Sequence, residues 1–198
     1  MELAWFYVGD AVGGNQEEFS DPLMRMGGCA AICACDCAIW FALHRDRPHL
    51  YDGADQRITV EEYQRFGAVM KPYLRPRAGG VDRLEYFIEG FGQYLADHGE
   101  TDIRMTDVPG DAPAAEALLT AERQLKRGLP VPFLLLRHRD QALDDLTWHW
   151  FSLLGMRREG ENTLVKTITC GETYWVDFDR LWDTGHDRRG GMILFDGI

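Results

Sequence analysis

Basic residues are scarce in this sequence. It carries 21 Lys and Arg against 32 Asp and Glu, for a net charge of −11 over 198 residues. The one basic cluster, Arg137-His138-Arg139, is short and is followed by Asp140. Because binding to a phosphate backbone needs clustered Lys and Arg, we expect no nucleic-acid partner.

Long apolar runs are also missing. The longest candidate, residues 29–43, contains Asp36 and is shorter than the roughly 18 residues that a membrane-spanning helix needs. The first five residues, MELAW, do not form a basic region followed by an apolar stretch, as a secretory signal would. We therefore expect a cytoplasmic protein with no membrane partner.

A disulfide pattern is the third absence. The chain has five cysteines, an odd number, and four of them fall between residues 29 and 37. This spacing favours free thiols over a disulfide framework. At about 100° per helical residue, Cys35 points away from Cys33 and Cys37, so the three cannot converge on one zinc ion within a helix. We expect no metal ion and no cofactor.

The pattern along the chain predicts one α+β domain over residues 1–198. Hydrophobic residues make up 45% of the sequence, enough for one sizeable core. Helices are predicted at 29–44, 59–70, 81–98 and 114–127, and strands at 131–136, 148–156, 163–169, 174–177 and 192–195. Thr59 and Glu62 have the spacing of a capping box at the start of the second helix. Residues 1–20 are expected to be extended with a turn at Gly13-Gly14, the chain is expected to break between Pro22 and Gly28, and connections are expected at 45–55 and 99–112. This order predicts an N-terminal helical part with a buried central helix, packed on a C-terminal antiparallel β-sheet.

The central helix begins with a candidate nucleophile. Gly27 and Gly28 precede Cys29, and the residues that follow are apolar or small on nearly all sides, which is typical of a buried helix. The free N–H groups and positive dipole end of a helix stabilise a thiolate, so a lowered pKa is expected for Cys29. Asp36, seven residues later and nearly on the same face, is expected to pair with an Arg.

A candidate base and its partner come from the C-terminal half. His149 opens an apolar strand between Trp148 and Trp150, where it could take the thiol proton. If the following hairpin turns near Gly160, residues 169–171 lie opposite His149. Thr167, Thr169 and Glu172 could then orient the imidazole, and Thr169 is favoured.

Taken together, these segments resemble the papain superfamily of cysteine peptidases. The resemblance rests on the Gly-Gly-Cys helix start, the Gly-Leu-Pro-Val segment before a strand, and the His149 hairpin. It is nearest to the double-glycine, bacteriocin-processing peptidases and their uncharacterised bacterial relatives, to which residues 15–16, 26–31, 182–185 and 190–194 are also similar. The resemblance implies a papain-like cysteine proteinase fold and a substrate that is a peptide or a small acyl-amide.

The chain departs from that family at two positions. The third catalytic residue is usually Asp or Asn, where this chain has Thr169. The oxyanion-hole Gln usually lies about six residues before the cysteine, where this chain has Leu23. Gln16 and Asn15 lie 13 and 14 residues before Cys29 and could reach the site only if the intervening segment folds back.

The predicted site is therefore Cys29, His149, Thr169 and Gln16. It is expected to serve a cysteine-nucleophile hydrolase, either a peptidase or an amidase. Two alternatives remain open: an acyltransferase on the same fold, and a non-catalytic papain-like binding module. The sequence leaves the oligomeric state open.

Overall fold

The computed structural model describes residues 1–53, 57–77 and 79–198, and these form an α+β fold. The helices are α1 (Pro22–Gly27), α2 (Cys29–His44), α3 (Val60–Met70), α4 (Leu84–Asp97), α5 (Ala114–Lys126) and α6 (Phe178–Trp182). The strands are β1 (Tyr7–Val8), β2 (Ala11–Val12), β3 (Arg57–Ile58), β4 (Arg104–Pro109), β5 (Val131–Leu135), β6 (His149–Glu159), β7 (Asn162–Thr169), β8 (Glu172–Asp177) and β9 (Gly190–Asp196).

A six-stranded antiparallel sheet forms the C-terminal half. Its order is β4-β9-β5-β6-β7-β8, so β5 to β8 form a meander and β9 returns between β4 and β5. The turn between β7 and β8 consists of Cys170 and Gly171, both with positive φ (49° and 79°), as a tight two-residue hairpin requires. A small sheet, β2-β1-β3, lies in the N-terminal half.

Apolar clusters cover both faces of the large sheet. Alternate residues of a strand point to opposite faces, and in β5 Leu134 joins the cluster formed with α2, α3 and α4. Its neighbours Phe133 and Leu135 join the cluster formed with α5 and α6. Two helical layers therefore enclose the sheet.

Helix α2 is the buried central helix that the sequence predicts, with 13 of its 16 residues buried. It packs against β6, where Cys33 Sγ lies 3.3 Å from Ser152 Oγ. Gly28 is needed at its start, because a Cβ there would lie 2.4 Å from the carbonyl oxygen of Met24. Because of this close approach, α2 follows α1 directly, and Cys29 is held at the first position of α2.

Three predicted features differ from the structure. The polar connection expected at residues 99–112 contains β4, an edge strand with one neighbour and a largely exposed surface, which hides the apolar signal of a strand. The break expected between Pro22 and Gly28 is helix α1, with Asp21 as its N-cap. The chain bends at Gly13 (φ 67°), as expected, but the tight turn of the N-terminal segment lies earlier, at Gly9-Asp10 between β1 and β2.

The capped helix predicted at 59–70 is confirmed, with a full capping box between Thr59 and Glu62. Residues 54 and 55 of the loop expected at 45–55 lie outside the described residues. Within the described ranges, no helix is long and apolar enough to cross a membrane.

Candidate functional site

The four predicted site residues meet around two adjoining cavities at the start of α2. A cleft of about 680 Å³ is lined by Gln16, Cys29 and His149. The same three residues line a smaller cavity of about 20 Å³, together with Thr169 and Asp36. Side chains separated by up to 153 positions therefore share one site.

Cys29 is the first residue of α2 and is 7% exposed. Its N-cap, Gly28, has no side chain to accept from the first-turn N–H groups. The backbone N–H groups of Trp150 and Ala30 face the sulfur and favour the thiolate, yet burial outweighs them and raises the pKa of Cys29 to about 11. The expected lowering of this pKa is therefore wrong, because desolvation exceeds the effect of the helix start.

His149 is the first residue of β6 and pairs with Leu135 of β5. The residue before it, Trp148, has a φ of 50°, and its N–H donates to the carbonyl oxygen of Leu136 at 3.1 Å. This sharp bend turns the chain into the strand at the cleft edge. Burial lowers the pKa of His149 to about 4, so both the thiol and the imidazole are neutral at pH 7.

Thr169 contacts the imidazole, as the hairpin register predicts. Its Oγ1 lies 2.5 Å from His149 Nε2. If Nε2 carries the proton and donates it to Thr169, the lone pair of Nδ1 is free, because Nδ1 has no hydrogen-bond partner among the described residues. No hydrogen bond joins the Cys29 thiol to the ring within that same part of the chain.

Gln16 reaches the cleft because the chain before α2 folds back. It opens a short 3-10 segment, Gln16–Glu18, capped by the side chain of Asn15. The Gln16 Oε1 atom is buried and has no partner in the described chain, and the amide lines both cavities beside Cys29. Asn15 is occupied as a cap, so Gln16 is the side chain with a free amide at the site.

Asp36 lies in the wall of the smaller cavity and, within the described ranges, has no Arg partner, contrary to expectation. Its Oδ1 accepts from Tyr63 Oη at 2.6 Å, and the N–H of Gly14 donates to Oδ1 and Oδ2 at 3.1 and 3.3 Å. Burial raises the pKa of Asp36 to about 7, and these donors partly oppose the rise. The donors come from distant segments, so sequence spacing could not identify them.

All five cysteines are free thiols, and only Cys170 is exposed. Cys170 lines the smaller cavity next to Thr169, whose Oγ1 lies 3.6 Å from its sulfur. Burial raises the pKa of Cys35 and Cys37 well above the ordinary range. Across the described residues, no group of three or more His, Cys, Asp or Glu side chains could hold a metal ion.

The walls of the cleft were not predicted. Leu23 and Met26 of α1 and Trp148 are exposed apolar side chains, 46%, 79% and 46% exposed, and all three line the cleft. Arg77 is the one Lys or Arg in its described lining. Leu23 and Met26 lie just before Cys29 in the sequence, and this proximity could have indicated an apolar wall beside the nucleophile. Their exposure follows from helix α1, which the sequence does not predict.

A comparison with protein families, curated proteins and solved structures found no match to this chain.

Proposed function

We propose that the protein is a cysteine-dependent hydrolase, a peptidase or amidase on a papain-like scaffold, which acts on a peptide or a small acyl-amide. The observation that carries this proposal is the convergence of Cys29, His149 and Gln16 on the cleft and the adjoining smaller cavity, where Thr169 contacts His149, from four separate segments. A nucleophile, a base, an orienting group and an amide donor are the parts that acyl transfer needs.

In the proposed first step, the Cys29 sulfur attacks the substrate carbonyl carbon while His149 Nδ1 takes the thiol proton. The oxygen gains negative charge and accepts hydrogen bonds from the Gln16 amide and the backbone N–H of Cys29. As the tetrahedral intermediate collapses, the C–N bond breaks and the imidazolium gives its proton to the leaving amine. The products of this half-reaction are an amine and a thioester on Cys29.

In the second step, His149 takes a proton from water, and the hydroxide adds to the thioester carbon. The C–S bond then breaks, the acid is released, and the sulfur recovers its proton from the imidazolium. Throughout, Thr169 accepts from Nε2–H, so Nδ1 is the ring nitrogen that takes up and returns the proton.

The rate of the proposed hydrolysis depends on Cys29 and His149 both being neutral before the reaction. With the pKa of Cys29 at about 11 and that of His149 at about 4, the proton must move as the sulfur attacks. A neutral hydroxyl on Thr169 stabilises the imidazolium less than a carboxylate would. We therefore expect slow or selective hydrolysis.

The exposed apolar walls of the cleft, Leu23, Met26 and Trp148, favour one alternative, a non-catalytic module that binds a peptide there. An acyltransferase would use the same four residues as the hydrolase and differ only in the acceptor of the acyl group. One reaction mixture separates the three functions: the hydrolase makes the acid, the acyltransferase makes the acylated amine, and the binding module makes neither.

The test is release of nitrophenolate from p-nitrophenyl acetate by the wild type and three variants. Hydrolysis should be lost in Cys29→Ala, should fall at least about a hundredfold in His149→Ala, and should be retained in Cys170→Ser, which removes the second thiol that lines the smaller cavity. Added glycinamide separates the enzymes, since an acyltransferase makes acetylglycinamide in preference to acetate. Equal rates in wild type and Cys29→Ala would leave only the binding module.

A further inference from the structure

We propose that Asp36 is a positioning residue: its buried carboxylate holds the segment of residues 11–16, here called the arm, so that the Gln16 amide faces the carbonyl oxygen of the substrate. This inference rests on the proposed function and adds to it the contact that orients the Gln16 amide as a hydrogen-bond donor to the oxyanion.

The arm is fastened to the central helix through one backbone group. The N–H of Gly14 donates to both carboxylate oxygens of Asp36, at 3.1 and 3.3 Å, two residues before Gln16. Tyr63 Oη donates to Oδ1 at 2.6 Å and fixes the carboxylate from α3. Asp36 and Cys29 belong to the same helix, so the nucleophile and the arm share one rigid support.

Close contacts show that positions 13 and 14 of the arm accept only glycine. A Cβ on Gly14 would lie 1.9 Å from Tyr63 Oη. A Cβ on Gly13 would lie 2.8 Å from both Asp36 Oδ2 and Trp5 Nε1, and its φ is 67°. The Gly13-Gly14 pair is therefore required by close packing on the carboxylate, beyond any need for a turn.

The arm and its flanks make further hydrogen bonds, and none of those described involves the Gln16 side chain. Next to Gly14, the N–H of Gly13 donates to the carbonyl oxygen of Phe6 at 3.1 Å. Before the glycines, the N–H of Val12 donates to the carbonyl oxygen of Gly171 at 2.9 Å. After Gln16, Gln64 Nε2 donates to the carbonyl oxygen of Glu18 at 2.6 Å. At the centre of the arm, the Asp36 carboxyl group joins it to α2, because its oxygens accept from Gly14 of the arm and from Tyr63 of α3.

The burial of this carboxylate is costly, which argues that the contact has a purpose. Asp36 is 5% exposed and carries no Arg or Lys partner in the described chain. A small apolar residue would fill the same helix position without burying a polar carboxyl group. The carboxylate provides what an apolar side chain cannot, an acceptor for the Gly14 N–H.

The test compares two reactions of Cys29, both in the Cys170→Ser background. Acylation by p-nitrophenyl acetate creates an oxyanion and needs Gln16, whereas alkylation by iodoacetamide creates none. Gln16→Ala should lower acylation about a hundredfold, and Asp36→Asn, which keeps one acceptor oxygen, should lower it about tenfold. Alkylation should stay within about twofold of the parent in both variants. The double variant should acylate no more slowly than Gln16→Ala, because Asp36 acts through Gln16.

Tyr63→Phe removes the hydroxyl that fixes the Asp36 carboxyl group and keeps the buried ring, so it carries the same prediction if Asp36→Asn does not fold. Tyr73→Phe is its control, since that hydroxyl donates to the exposed Asp97. Wild-type acylation in Asp36→Asn, or an additive loss in the double variant, overturns the inference alone. A parent protein that does not acylate at Cys29 overturns the proposed function, and this inference with it.

Discussion

Replacing Thr169 by Asp tests whether this side chain controls the base. Thr169 Oγ1 lies 2.5 Å from His149 Nε2, so a carboxylate built there would face the same ring nitrogen. An opposite charge at such a distance raises the pKa of a histidine by about 1 to 3 units. The pKa of His149, about 4 in the wild type, should therefore rise to between about 5 and about 7 in Thr169→Asp.

The change in the catalytic pair follows from the two pKa values. The gap between about 4 for His149 and about 11 for Cys29 places the thiolate–imidazolium pair about seven orders of magnitude below the neutral pair, before their mutual attraction is counted. Each unit gained by His149 raises this population about tenfold. Thr169→Asp should thus increase it by about 10- to 1,000-fold.

The assay has two readouts. An NMR titration of the His149 ring gives its pKa directly. Iodoacetamide labelling of Cys29 is measured at pH 5 in the Cys170→Ser background, where ordinary ionisation of a thiol with a pKa of about 11 leaves only about one thiolate in a million, so that a gain in the thiolate–imidazolium pair becomes visible. Thr169→Asn is the matched neutral control and should change neither. A folded Thr169→Asp protein with the wild-type titration and labelling rate would refute the assignment of Thr169 as the orienting group, and Glu172 would be the next residue to replace.

Three further predictions concern the surroundings of the site. The pKa of Asp36 is about 7 in the folded state against an ordinary 3.8, so between pH 4 and pH 7 the folded state keeps a proton that the unfolded chain gives up. The free energy of unfolding should therefore fall as pH rises from 4 to 7, by at most about 4 kcal/mol. Urea titrations should show this dependence in wild type relative to Asp36→Asn, and parallel curves would contradict it. Trp148→Ala should raise KM severalfold for substrates with apolar side chains and leave kcat nearly unchanged, because it removes a cleft wall, whereas Leu119→Ala, an exposed apolar control on α5, should change neither. Cys33→Ala should cost about 1 to 3 kcal/mol in urea unfolding by leaving the buried Ser152 hydroxyl without its partner, with the acylation rate intact; a large loss of acylation would instead place Cys33 in the chemistry.

Local sequence signals located the elements that hold the site. The apolar run after Gly28 predicts α2 with the bounds that the structure has, and the Thr59–Glu62 box predicts where α3 begins. The alternating strands around a turn near Gly160 predict a hairpin that brings Thr169 to His149. These signals are short-range, so a single sequence is enough to reveal them.

The remaining features depend on tertiary packing. The pKa of Cys29 is set by how completely the helix start is covered, which neighbouring residues in the sequence do not determine. The partners of Asp36 come from the arm and from α3, 22 and 27 positions away. Gln16 enters the cleft only because α1 fills the segment between it and Cys29. Each requires knowing how distant segments pack, and spacing alone could not supply it.

The location of the acyl group after one turnover tests the central claim most directly. Wild-type protein mixed with p-nitrophenyl acetate, quenched in acid within the first turnover and mapped by peptide mass spectrometry should carry acetyl on Cys29. The same adduct should form at least about a hundredfold more slowly in His149→Ala. Acetyl on Cys170 or on a lysine, or equal rates of Cys29 acetylation in wild type and His149→Ala, would contradict the Cys29–His149 pair as the reactive centre.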